Sequence, residues 1–175
     1  MAVEQYVFLN ESQMPSADVV SDRARALGHD FVVTEAVNLR EHRGYLPIKL
    51  EGAQTGFEAY FMPTGEIDEL PPEAGQWSHL AMTITGGNSA EALAATIYLR
   101  AIADLTSGPY WYPDDDIQEP ANVPAYLDDA IASFKVMAAK DAARAARRQA
   151  SQPVPEPPIP QSPKSGFFSR LLGSK

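Results

Sequence analysis

The chain has no cysteine, and only three histidines and two tryptophans in 175 residues. Without thiols there are no disulfides, thiolate nucleophiles or cysteine metal sites, a pattern that fits a reducing compartment. His29, His42 and His79 are never spaced to aim two imidazoles at one ion, so no metal site is expected. No apolar run approaches the roughly 20 residues that span a bilayer. The first residues lead straight into a strand-like run, without the basic and long apolar regions of an export signal. The expected location is therefore cytoplasmic, with no transmembrane segment. Gly-x-Ser-x-Gly elbows, P-loops and dinucleotide fingerprints are absent as well, so no catalytic or cofactor-binding residue is assigned.

At this length one hydrophobic core is expected. Basic charge is scarce and unevenly placed, with 14 Lys and Arg against 23 Asp and Glu for a net charge of −9. Residues 132–175 hold eight basic and two acidic side chains, net +6, which leaves −15 on the first 131 residues. So acidic a body repels nucleic acid and attracts basic partners.

Tyr6-Val7-Phe8-Leu9 is an undivided apolar run, the pattern of a strand covered on both sides. Ser16 can cap a helix carrying Val20, Ala24 and Leu27 at i, i+4 and i+7, with Gly28 as its stop. β-Branched and aromatic residues predict a second strand from Phe31 on to Leu39. Three strands then alternate. Leu46, Ile48 and Leu50 oppose Lys49; Phe57, Ala59 and Phe61 oppose Glu58 and Tyr60; Leu80, Met82 and Ile84 oppose His79, Ala81, Thr83 and Thr85. A turn at Gly52 to Gly56 joins the first two, and Pro63 to Gln76, with four acidic residues, reads as a long surface loop.

Asn88 and Glu91 suggest a capping box for a helix over 89–106, with Leu93, Ile97, Ala101 and Leu105 on one stripe. A third helix starts near Pro124 and aligns Leu127, Ile131, Phe134 and Ala138. The order β-α-β-β-β-β-α plus a C-terminal helix predicts an α+β two-layer sandwich with a largely antiparallel sheet. The chain divides into a globular domain (1–137), a projecting Ala/Arg-rich helix (138–150), a Pro-rich linker (151–165) in an expected disordered tail, and a short amphipathic motif (166–175).

Among candidate sites, Asp114-Asp115-Asp116 lacks the alternating oxygens and central glycine of a calcium loop. Gly86-Gly87-Asn88-Ser89 is explained by an Asn-capped helix start rather than phosphate binding. Tyr110, Trp111 and Tyr112, between Gly108-Pro109 and Pro113, either anchor a partner or fold back over the core. The sheet side bearing Lys49, Glu58, Tyr60, Thr83 and Thr85 is a solvated wall or a recognition surface. Phe167, Phe168, Leu171 and Leu172 fall at i, i+1, i+4 and i+5, as in a docking peptide or a weak membrane-surface contact. The candidate partner-binding residues are therefore Tyr60, Tyr110, Trp111, Tyr112, Asp114, Asp115, Asp116, Phe167, Phe168, Leu171 and Leu172.

Thr55-Gly56-Phe57-Glu58-Ala59-Tyr60-Phe61, a strand into Gly86-Gly87, an Ala-rich helix and Thr106-Ser107-Gly108-Pro109-Tyr110 before the Asp-rich turn follow one another over residues 5–118. In arrangement this resembles small, uncharacterised bacterial proteins of the toxin-immunity type. The resemblance implies a non-enzymatic bacterial protein that binds and blocks a toxin, and carries over no inhibitory residue. The alternatives are an adaptor docked on a partner or membrane surface through Phe-Phe-Ser-Arg-Leu-Leu, and a small enzyme using surface carboxylates.

Overall fold

The computed structural model describes residues 2–113 and 115–150; Asp114, the linker 151–165 and the segment with Phe167, Phe168, Leu171 and Leu172 lie outside the described residues. Its elements are β1 (Val3–Leu9), α1 (Ala17–Ala26), β2 (Phe31–Val33), β3 (Arg43–Leu50), β4 (Ala53–Pro63), β5 (His79–Thr85), α2 (Ser89–Thr106), β6 (Tyr110–Trp111) and α3 (Val123–Ala150). The strands form one sheet in the order β2-β3-β4-β5-β1-β6, every neighbouring pair antiparallel. The α-helices stand on one face of that sheet: their buried residues join one core cluster with Val7, Leu46, Ile48, Phe57, Ala59 and Ala81, while a second cluster on the other face contains no residue of α1, α2 or α3. This is the expected α+β architecture.

Local chemistry fixes the helix starts. The Ser16 hydroxyl accepts the Val19 N–H at 3.5 Å, and Asn88 Oδ1 accepts the Ala90 N–H at 2.9 Å. Glu91 reaches back past the cap residue to accept the Gly86 N–H at 3.3 Å, tying the helix start to the end of β5. α2 then carries the chain over β1 to β6, and it is buried around its circumference from Ala92 to Ala103 because α1 and α3 flank it above the sheet. Leu105, on its last turn, is 40% exposed and so leaves the stripe predicted for it.

α3 packs on α2 through Val123, Leu127 and Ile131, with Phe134 half-buried behind them. Residues 139–149 are exposed throughout, as expected where no large side chain remains to bury. Arg100 of α2 bonds Asp128 at 2.9 Å near the start of α3, and Ser89 bonds Asp141 at 2.7 Å further along. α3 therefore runs antiparallel to α2 and passes its N-terminus.

Four local expectations change. The second strand stops at Val33, because the next position, Thr34, faces Pro47 and the proline has no N–H to extend the ladder; Asn38 then begins a turn that accepts the N–H groups of Glu41 and His42. The β3–β4 turn is only Glu51-Gly52, both with positive φ (50° and 81°), so Gly56 lies inside β4. The loop after Pro63 is more than a surface loop: Ile67, Leu70, Ala74 and Trp77 cover the sheet's outer face, and Trp77 stacks on Phe8 with ring centroids 5.8 Å apart.

The fourth change reverses β5. Its pairing places Met82 opposite both Tyr60 and Tyr6, and Leu80 opposite Met62 and Phe8, so Leu80, Met82 and Ile84 face outward. Ala81, Thr83 and Thr85 lie beneath the helices, fully or almost fully buried. The strand is covered on both sides, and small side chains meet the Ala-rich α2 while long ones are covered by the loop. Thr83 and Thr85 thus leave the proposed polar wall, and their hydroxyls are buried without a hydrogen-bond partner among the described residues.

Candidate functional site: the open half of the outer sheet face

The 64–78 loop covers only one end of the outer face, over Phe8, Met62 and Leu80. The other end is open. Its first cross-strand row, from β3 to β6, is Arg43, Tyr60, Met82, Tyr6 and Trp111. The second row is Tyr45, Glu58, Ile84 and Glu4. Tyr6 and Met82 are a buried floor, Tyr60, Ile84 and Trp111 are half-exposed, and Glu4 and Glu58 are exposed. Tyr45 is 61% exposed, the greatest value among the exposed large hydrophobic side chains of the described residues.

The strand period places these groups together: residues two apart share a side, so Glu4 stands beside Tyr6 on β1 and Glu58 beside Tyr60 on β4. The Tyr60 hydroxyl donates to Glu58 at 2.7 Å, and the Tyr6 hydroxyl makes the matching bond to Glu4. The bond to Glu58 raises the Tyr60 pKa above its ordinary value, and burial, aided by Glu4, raises that of Tyr6. Both phenols stay protonated at neutral pH, and both carboxylates are fixed at the rim of an apolar strip.

Gly56 holds the exposed ring. A Cβ there would lie 2.4 Å from the Tyr45 Cζ and hydroxyl and 2.6 Å from the Leu46 carbonyl oxygen, so the Tyr45 ring lies directly over the glycine backbone. An aromatic covering a strand glycine across the ladder is a recognised way to fix register. Here it also lays a large aromatic surface flat and open to solvent.

The predicted site residues fall in different places. Tyr60 and Trp111 are on the outer face, Trp111 against Tyr6 at 5.1 Å between ring centroids. Tyr110 points the other way, into the helix-side core, where its hydroxyl donates to Gln5 Oε1 at 3.1 Å, so for this ring the core-closing alternative is the observed one. Tyr112 is half-exposed against the same core. Asp115 accepts the Tyr126 hydroxyl at 2.9 Å, and its carbonyl accepts the Trp111 indole N–H at 3.0 Å, so it braces the β6 loop. Asp116 is exposed beside it. Sequence reasoning did not single out Tyr45, Glu4, Tyr6, Met82 or Ile84; the signal present was a tyrosine in phase with Lys49 and an acid two residues before each of Tyr6 and Tyr60.

Two other polar groupings stand apart from this face. Arg100, 5% exposed, bonds Asp104 at 3.2 Å and Asp128 at 2.9 Å, and Asp104 also pairs with Arg23. A hollow of about 170 Å³ beside this network is lined by Arg100, Asp104, Ser107, Pro120 and Val123 among others, and it contains a single carboxylate already shared by two arginines. His29 has its pKa lowered, first by burial and then by Lys135. Among the described residues no group of three or more His, Asp or Glu is placed to hold a metal ion, and no helix is long and apolar enough to cross a membrane.

No family model, curated protein or solved structure matches this chain. The geometry of the open face therefore carries the functional reading.

Proposed function

We propose that the protein is a non-enzymatic, cytoplasmic binding module that receives a basic protein partner on the open half of its outer sheet face. The observation that carries this reading is the Tyr45 ring, fixed over Gly56 and 61% exposed next to Ile84, Tyr60, Glu58 and Glu4. A rigid aromatic loses little side-chain entropy on binding, and a charged rim around an apolar strip is the usual anatomy of a recognition surface. The −15 on the first 131 residues steers basic partners toward the body and speeds encounter. The resemblance supplies one such partner class, a toxin blocked by occupancy. A carboxylate enzyme has less support, since the hollow beside Arg100 offers no pair of facing carboxylates.

The test is co-purification from the native host, with mass spectrometry, using the full chain, the double variant Tyr45→Ala/Glu58→Lys, and Asp129→Lys on exposed α3 as a control for charge. A partner held by the wild type and the control, and lost from the double variant, is expected. Equal recovery on all three overturns the reading.

A further inference from the structure

We infer that α3 pairs with the α3 of a second copy of this chain, antiparallel and centred on Val136, so that the projecting half of each helix lies along the outward side of the other's packed half. This goes beyond the reading of the open sheet face, which lies on the other side of the sheet from the helices and stays free in both copies.

Three observations select this occupant. The first is that α3 is supported along only part of its length. It has 28 residues and, at about 1.5 Å per residue, is about 42 Å long. Val123, Leu127 and Ile131 seat its first half on α2, whereas residues 139–149 are exposed on every side. A helical stretch that short is marginal in water without packing. A neighbouring helix supplies that packing.

The second is the face that α3 turns away from α2. At about 100° per residue, Asp129, Ala132, Val136, Ala139, Lys140 and Ala143 fall opposite Leu127 and Ile131, and all six are exposed. Val136 is 55% exposed, second only to Tyr45 among the exposed large hydrophobic side chains of the described residues. It also stands at the middle of α3, with 13 residues before it and 14 after. A twofold axis through Val136 therefore matches the helices over their whole length, and residues equally far before and after it meet. Each body sits on the side of α3 that faces α2, so the two bodies occupy the outer flanks of the helix pair and do not collide.

The third is charge. On the outward face the packed half carries Asp129, and the projecting half carries Lys140 and Arg147. The other charges of α3 stand off this face: Asp128 is held by Arg100 and Asp141 by Ser89, while Lys135, Arg144 and Arg148 lie to the sides. In the antiparallel pair Asp129 lies against Ala143 of the second copy, with Lys140 and Arg147 of that copy one turn to either side. The contact is made twice. A parallel pair sets Asp129 on Asp129 and Lys140 on Lys140, and crowds two bodies of −15 at one end. The charge pattern is thus complementary to itself in one orientation only, which points to a second copy rather than to an unrelated helix.

A single pair of helices, with small side chains on much of the seam, is an interface at the weak end of specific complexes. The dissociation constant is expected on the order of 10 µM. The dimer carries two open sheet faces pointing away from each other, so a partner with repeated sites would be held at both.

The experiment uses the full chain. Its molar mass by light scattering is expected to rise from one chain toward two between about 1 µM and about 100 µM. Val136→Asp sets two carboxylates face to face on the axis and is expected to keep the chain monomeric over that range. Asp129→Lys weakens the dimer about tenfold, and Asp129→Lys/Lys140→Glu recovers it, because the reversed pair meets again across the seam. The chain has no cysteine of its own, so single-cysteine variants map the contact directly. Val136→Cys cross-links on mild oxidation, whereas Asp129→Cys, about 21 Å from its counterpart along the pair, does not. A mass of one chain at every concentration, without cross-linking at Val136→Cys, overturns the inference. So does a dimer indifferent to Val136→Asp, which assigns the contact to another surface, and so does cross-linking at Asp129→Cys as ready as at Val136→Cys. A monomer that binds phosphatidylglycerol vesicles through Arg144 and Arg148 also overturns it, and assigns the basic half of α3 to lipid. Partner recovery on the sheet face is read independently, since none of these substitutions touches that face.

Discussion

The two faces of the sheet bury side chains in different ways. On the helix side, Val7, Leu46, Ile48, Phe57 and Ala81 meet α1 and α2, and the strip is closed from edge to edge. On the outer side a loop with two short 3-10 turns, Thr64–Glu66 and Pro72–Gln76, covers one end and leaves the other bare. Burial on the first face stabilises the fold, at roughly 1.5–3 kcal/mol per large side chain. The exposed apolar surface on the second adds little to stability and is kept beside fixed carboxylates. The difference separates residues that hold the fold from residues free to serve recognition, and substitutions can test that division.

The largest effect belongs to the helix side. Phe57, 2% exposed and 5.3 Å from Tyr98 between ring centroids, is expected on replacement by alanine to lose about 3–5 kcal/mol. Chemical denaturation reads this directly, and a loss under 1 kcal/mol would break the assignment of this face as the core. Gly56→Ala comes next, at about 1–3 kcal/mol, because the new methyl meets a backbone carbonyl that cannot swing aside as well as the Tyr45 ring. Its shortfall relative to Phe57→Ala sharpens the contrast between the faces, and an unaltered unfolding midpoint would show that Tyr45 does not lie over the strand.

Thr83→Val sharpens it further with the opposite sign. The hydroxyl is fully buried under the helices without a partner among the described residues, so its removal is expected to raise stability by roughly 0.5–1 kcal/mol in the same denaturation assay. A loss of that size instead would mean the hydroxyl is satisfied in solution.

His29 adds a pH dependence on the helix side. Its folded pKa lies below the ordinary imidazole value of 6.5, chiefly through burial. Between the folded pKa and 6.5 the unfolded chain binds more protons, so stability is complete above 6.5 and falls as pH drops through that window. His29→Asn flattens this slope, which melting curves from pH 7 down to pH 5 measure; an unchanged slope contradicts the burial of the imidazole. Tyr45→Ala, smallest of all, is expected to change stability by less than about 0.5 kcal/mol.

Legibility in the sequence followed the same division. Where one flank of a strand is buried and the other open, the period of two reads correctly: Leu46, Ile48 and Leu50 point inward with Lys49 outward, and Phe57 with Ala59 inward against Glu58. The caps at Ser16 and Asn88 were equally plain, because a short polar side chain before an apolar-periodic run has few other uses. β5 misled because both its flanks are covered, and alternation carries no sign when neither side is wet.

The loop cover was invisible for another reason. Ile67, Leu70, Ala74 and Trp77 have no helical or strand period and sit among acids and prolines, yet they reach the sheet through irregular backbone. The site was legible only in part: Tyr60 and Trp111 share the outer face, Tyr110 is core, and Tyr45 emerges only once β3 and β4 are in register.

The most direct test of the division is a single pair of values for Tyr45→Ala: the unfolding free energy, and the affinity for the protein recovered with the wild type. The account predicts an unfolding free energy within about 0.5 kcal/mol of wild type and binding weakened by about 2 kcal/mol, roughly thirtyfold. Undiminished affinity, or a fold that fails together with the binding, would contradict it.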